Sequence, residues 1–189
     1  MATQPSPSLT EQDYLAFDRA ADYKSEFVDG EIMARAGGGL RHSRLASRLI
    51  FEFVRQLKSC TVYTSDARVR TPKSASYFYP AVSVVCGESL THDRSDDILI
   101  NPCLIAEVLS PSTADYDHGK KFARYREIPM LRDYLLIHST EILVEHYARQ
   151  ADGNWLLSEG RGMDAAVELV SVECTLALAS LYAGEFAAT

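Results

Sequence analysis

The sequence predicts an α/β fold, a mixed β-sheet flanked by α-helices, and three observations carry that expectation. Short strand-like runs bounded by Gly, Pro and Asn are interleaved with helical patterns along the whole chain. The segment Leu104-Ile105-Ala106-Glu107-Val108-Leu109 is apolar throughout except for one carboxylate, the pattern of a buried central strand. Residues Arg41 to Lys58 show apolar positions at helical spacing, with basic residues on the other side.

The elements follow in order. Thr10 is placed to cap a short helix through Tyr14, Leu15 and Phe17, with Asp13 at its third position. Glu26-Phe27-Val28 and Glu31-Ile32-Met33 flank Asp29-Gly30, a hairpin signal. Gly37-Gly38-Gly39 is a loop without the Gly-Lys-Ser/Thr of a phosphate loop. In the Arg41–Lys58 helix, Leu45, Ala46, Leu49, Ile50, Phe53, Val54 and Leu57 share one half of the wheel. Arg41, Arg44, Arg48, Arg55 and Lys58 form a basic stripe that also holds Phe51. Strand patterns follow at Thr61 to Thr64, Ala67 to Thr71 and Val82 to Cys86, then a charged loop from His92 to Asp97. After the Glu107 strand comes a helix from about Tyr116 to Arg126, stopped before Pro129. Tyr134 to Ile137, Ile142 to Ala148, Trp155 to Leu157 and Val167 to Val170 read as strands, with a turn at Asp152-Gly153-Asn154.

A chain of 189 residues with 47% hydrophobic and 24% charged residues fits one globular domain, expected over residues 10–189 behind a disordered polar lead of residues 1–9. No apolar run approaches the roughly 18 residues of a membrane span, and the lead lacks the charged head and apolar core of a secretory signal. Cys60, Cys86, Cys103 and Cys174 lie far apart with no C-x-x-C, so buried free thiols in a reducing cytoplasm are expected rather than a cysteine zinc site. The net charge of −7 argues against a general nucleic-acid binder, but it is unevenly spread. Between Arg35 and Lys73 nine basic residues face two acidic ones, a local +7 that leaves −14 for the rest and suggests one basic surface on an acidic body. The basic helix is therefore a candidate DNA-phosphate contact through Arg41, Arg44, Arg48 and Arg55, with an ordinary solvated face or a homodimer contact through Phe51 as the alternatives.

An ionised carboxylate inside an apolar strand costs several kcal/mol unless a cation or strong donors meet it. On the helix that follows Glu107, Asp117, Lys121 and Tyr125 are spaced i, i+4, i+8 and fall close to one face. If that helix packs back on the strand, Lys121 approaches Glu107. Carboxylates that hold Mg²⁺ or Mn²⁺, together with a lysine that offsets phosphorane charge, are the parts phosphodiester hydrolysis requires.

The order Glu26…Asp29-Gly30, His42, Tyr79-Pro80-Ala81-Val82-Ser83-Val84-Val85-Cys86, Glu107-Val108-Leu109-Ser110-Pro111-Ser112-Thr113, Asp117…Lys121…Tyr125 and Tyr134-Leu135-Leu136-Ile137 resembles a large bacterial family. That family, abundant in cyanobacteria, is described as restriction endonucleases of the PD-(D/E)XK superfamily. The resemblance runs from about Thr10 to Phe186, and Glu-Val-Leu-Ser-Pro-Ser-Thr is its most specific block. It implies a restriction-endonuclease-like fold and metal-dependent DNA hydrolysis. It further implies Glu107 as the metal-binding glutamate, Lys121 as the catalytic lysine relocated to the next helix, and Glu26, His42, Asp117 and Tyr125 as supporting residues. The family pattern reads Tyr-Pro-Asp-Val, whereas this chain has Ala81 at the aspartate. Losing that ligand implies weakened Mg²⁺ binding and impaired activity, unless Asp66 stands in from a neighbouring strand. A non-catalytic nucleic-acid- or protein-binding module with the same fold is the competing expectation.

Overall fold

A computed structural model describes residues 8–35, 38–93 and 96–186. Most of the expected N-terminal lead, Gly37 of the glycine loop, and Arg94 and Ser95 of the charged loop lie outside the described residues.

Helix α1 (Glu11–Ala20) starts on a reciprocal cap: Asp13 N–H donates to the Thr10 hydroxyl at 3.2 Å and Thr10 N–H donates to the Asp13 carboxylate at 2.9 Å. Strands β1 (Ser25–Val28) and β2 (Glu31–Ala34) form the expected antiparallel hairpin. Its turn residues Asp29 and Gly30 both have positive φ, 55° and 82°, as the twist of a tight hairpin requires. Helix α2 (Leu40–Gln56) buries Leu45, Leu49 and Phe53 completely. Val54, placed by the wheel on that face, is instead 59% exposed.

Strands β3 (Cys60–Thr64), β4 (Arg68–Arg70), β5 (Tyr77–Phe78), β6 (Val82–Cys86), β7 (Ile98–Leu99) and β8 (Leu104–Leu109) follow. The expected helix is a continuous helical passage from Ala114 to Tyr125, made of α3 (Ala114–Tyr116), a π-helical turn (Asp117–Lys121) and α4 (Phe122–Tyr125). Strands β9 (Asp133–His138), β10 (Leu143–Arg149), β11 (Trp155–Arg161), β12 (Ala166–Leu169) and β13 (Cys174–Ala177) precede the short helix α5 (Leu178–Leu181). Val170, read as the end of a strand, opens a 3₁₀ turn and is exposed.

The strands form two larger mixed sheets and one ribbon. The six-stranded sheet has the order β11-β10-β9-β8-β6-β3, with β8 and β9 parallel and the other neighbours antiparallel. A five-stranded sheet, β2-β1-β5-β4-β7, includes the β1–β2 hairpin, and β12 pairs with β13. Central β8 is buried at every position. Its Leu104, Ala106 and Val108 pack with α2, while Ile105 and Leu109 pack on the opposite face with Phe78, Phe122, Tyr125 and Tyr134. Period-two alternation therefore puts Glu107 on that second face, under the helical passage. Among the described residues no helix is long and apolar enough to cross a membrane.

The expectation of four free thiols is corrected. Cys60 and Cys86 form a disulfide, while Cys103 and Cys174 are free. The reason is register: the two residues oppose one another across β3 and β6, with Cα atoms 4.0 Å apart.

Candidate active site

The site is built where β8, β6 and the hairpin meet the helical passage. The β6–β8 register pairs Val82 with Ala106, so its extension by one residue sets Ala81 beside Glu107. Ala81 N–H donates to Glu107 Oε2 at 3.2 Å. Glu107 Oε1 accepts from the Tyr125 hydroxyl at 3.0 Å and lies 3.0 Å from Lys121 Nζ. That ammonium is also 3.0 Å from Glu26 Oε1, contributed by β1, and 3.2 Å from Asp117 Oδ1 one turn back. All four charged side chains are at least nine-tenths buried.

A clamp holds the two halves together: Asp29 at the hairpin tip accepts from Arg124 Nη2 at 2.5 Å and pairs with Lys120 at 3.3 Å. The π-helical turn carries both Asp117 and Lys121. Such an inserted residue shifts side-chain direction locally and recurs at functional sites.

Three carboxylates share one ammonium, a formal excess of two negative charges out of water. Burial alone would lower the Lys121 pKa, but Glu107, Glu26 and Asp117 together override it and raise it, so the lysine stays charged. Burial pushes the Asp117 carboxyl up to about 6 against the pull of Lys121. Burial likewise raises the Tyr125 hydroxyl well above its ordinary value, which keeps it a donor to Glu107. Glu26 Oε1 is buried and, despite its contact with the lysine, has no aligned hydrogen bond.

These groups border a cleft of about 710 Å³ lined by Glu26, His42, Ala81, Glu107, Asp117 and Lys121, with Lys24, Arg35, Ser65 and Tyr116 at its walls. Tyr125 supports Glu107 from behind the lining. Burial, then Arg35, holds the His42 pKa below its ordinary value. Gly38 packs directly on His42: a Cβ there would lie 2.4 Å from the imidazole. Lys24, Ser65 and Tyr116 escaped the sequence reading, and no local signal marks them, because separate loops and strands bring them together.

Hard carboxylate oxygens with surplus negative charge suit Mg²⁺ or Mn²⁺, and Glu26 Oε1, held only by its ion pair with Lys121, is one such oxygen. Ala81, at the position where the resemblance implies an aspartate, lines the cleft without a carboxylate. Asp66 does not replace it. That side chain is 84% exposed in the turn after β3, is paired with Lys24, and is absent from the cleft lining.

The stripe on α2 is not a set of vacant cations. Arg44 binds the Glu185 carboxylate through two hydrogen bonds of 2.8 and 2.7 Å, Arg48 lies 3.1 Å from it and Arg41 3.7 Å. Arg55 pairs with Glu52 at 2.5 Å. Elsewhere in the basic stretch, Arg68 is buried against Asp18 and Asp97, and Arg70 pairs with Glu11. Much of the local positive charge is thus already paired, with Glu52 nearby on α2 and with Glu185, Asp18, Asp97 and Glu11 from elsewhere in the chain. Phe51 projects from α2 at 63% exposure.

Comparison with known proteins gives a consistent assignment. The fold is similar to a crystal structure from Anabaena variabilis described as "a putative nuclease belonging to DUF820", with a TM-score of 0.77 at 18% identity, covering 94% of this chain and 99% of that one. Two proteins of Synechocystis sp., "Uncharacterized protein slr1290" and "Uncharacterized protein sll1609", are 37% and 40% identical to it. These alignments cover 95% and 89% of this chain and 94% and 96% of the relatives. The model of the Uma2 family, "Putative restriction endonuclease", matches residues 11–179, and the chain belongs to that family.

Proposed function

We propose that this chain is a metal-dependent DNA phosphodiester hydrolase of the PD-(D/E)XK type, impaired at Ala81. The observation that carries the reading is the buried group of Glu26, Glu107 and Asp117 around a single lysine beside an open cleft. A buried surplus of carboxylates is costly for stability alone, and a bound dication offsets it. Mg²⁺ or Mn²⁺ would be held by Glu107, with Glu26 and Asp117 able to share it. When bound, such an ion polarises the scissile phosphate and makes water a better nucleophile.

The chain's own residues do the rest. The Tyr125 hydroxyl and the Ala81 amide fix the Glu107 carboxylate from two sides. Lys121, locked by three carboxylates, presents a fixed positive charge for the phosphate oxygens or orients the attacking water. His42, whose pKa is held below its ordinary value in the same cleft, is available as a proton acceptor or a phosphate contact. DNA would approach over the cleft mouth, near Lys24 and Arg35. Phe51 is the candidate contact for a homodimer. A non-catalytic binding module of the same fold is the second reading, favoured by Ala81 itself.

Thermal melting with and without MnCl₂, for the chain as given and for Ala81→Asp, tests the cation site. At a hundredfold excess over Kd, a bound ion stabilises by about 2.7 kcal/mol. The substituted chain should show a larger upward shift than the parent. A parent shift as large as the variant's would contradict an impaired site.

A further inference from the structure

A second cluster lies on the same face of the sheet, outside the cleft. His138 at the end of β9 and Glu145 on β10 are diagonal neighbours across the β9–β10 pair, and His118 reaches them from the π-helical turn. Glu145 Oε1 is 2.8 Å from His118 Nε2 and 2.7 Å from His138 Nε2. The three candidate donor atoms all lie within 4.8 Å of one another.

His118 Nδ1 is 2.7 Å from the Ala114 carbonyl oxygen, which can only accept, so Nδ1 carries a proton. Nε2 therefore faces Glu145 in one of two ways: as a second N–H donor when the ring is charged, a form that Glu145 favours, or as a lone pair that a bound cation would share with the carboxylate. The outer contacts also resemble those that orient metal ligands. A backbone carbonyl fixes the His118 ring, the Tyr147 hydroxyl donates to Glu145 Oε2 at 3.2 Å, and Glu141 lies 3.7 Å from His138 Nδ1. Glu145 is largely buried while both histidines retain some exposure, so an ion has a path in.

We infer that His118, His138 and Glu145 form a site for a transition-metal dication of the Zn²⁺ class, separate from the carboxylate cleft. Two imidazoles and one carboxylate suit Zn²⁺ and leave a position open for water. The site would join β9 and β10 to the turn that carries Asp117 and Lys121, so an ion there pins the segment from which the lysine projects. None of its three ligands lines the cleft.

The test is zinc binding by calorimetry, with metal content after dialysis, in buffer containing excess Mg²⁺. It compares the oxidised full chain with His138→Gln, Glu145→Gln and Glu107→Gln. The parent should retain about one zinc per chain and melt at a higher temperature with it. His138→Gln and Glu145→Gln should each weaken binding by about tenfold or more, and Glu107→Gln should leave it intact. Circular dichroism checks folding, and His118→Gln replaces any variant that fails it. A folded parent that retains no zinc, or zinc retention unchanged in both ligand variants, overturns the site. Zinc lost in Glu107→Gln alone would place the ion in the cleft and also overturn it.

Discussion

The backbone amide of Ala81 donates to the carboxylate of Glu107 at 3.2 Å. Where the family pattern that this chain resembles has an aspartate, the strand end offers a methyl group and an N–H; under the proposed function, that position is one metal-binding oxygen short. Several consequences can be measured.

Lys121 holds the three carboxylates. Lys121→Met should destabilise the protein by about 3–5 kcal/mol at neutral pH, because it leaves buried charges without their counter-ion. The loss should shrink on acidification. Without the lysine nothing opposes the burial that already raises the Asp117 carboxyl, so that group takes up a proton more readily and the variant gains stability relative to the parent as pH falls. Urea denaturation across pH 4 to 8 gives both values.

Asp117 supplies a second pH dependence. Its carboxyl is pushed up to about 6 by burial, above the ordinary 3.8. A raised acid binds more protons when folded than unfolded. Its favourable contribution is therefore full below about pH 4 and is lost as pH rises through about 6. Asp117→Asn should thus gain stability relative to the parent as pH rises across that window, on the order of 1–2 kcal/mol. A difference that does not change with pH would show that this group does not titrate there.

Glu185 is the shared carboxylate partner of Arg41, Arg44 and Arg48 on α2. Arg44→Ala with Arg48→Ala should lower the melting temperature, since a carboxylate that is 1% exposed loses its closest partners. Glu185→Gln should free the stripe and, if it can reach DNA, strengthen binding and steepen its salt dependence by about one log-log unit per new phosphate contact. DNA affinity across a salt series reads both effects.

The disulfide closes a loop of sequence separation 26. Reduction, or Cys60→Ser with Cys86→Ser, should cost about 2–4 kcal/mol, because the bond restricts the unfolded chain. Denaturant midpoints with and without reductant measure it.

The sequence reveals the core of this arrangement better than its surroundings. Glu107 stands out because six consecutive strand positions are otherwise apolar, and Lys121 because it falls one turn beyond Asp117. The stripe's main anionic partner, Glu185, is not legible beside it because it lies 141 residues beyond Arg44. The Cys60–Cys86 bond depends on strand register, which spacing alone does not determine. The π-helical turn leaves no compositional mark, since it differs from an α-helix by a shifted hydrogen bond. Strands β5 and β7, two residues each, are too short for any periodicity to show.

The central claim is that one missing aspartate separates this chain from an active nuclease, and plasmid nicking in MnCl₂ tests it most directly. Ala81→Asp should nick supercoiled DNA where the parent does so slowly or not at all, and a further Glu107→Gln or Lys121→Met change should abolish that gain. A folded Ala81→Asp protein that neither nicks DNA nor gains a manganese-dependent melting shift would contradict the account and favour a non-catalytic binding module.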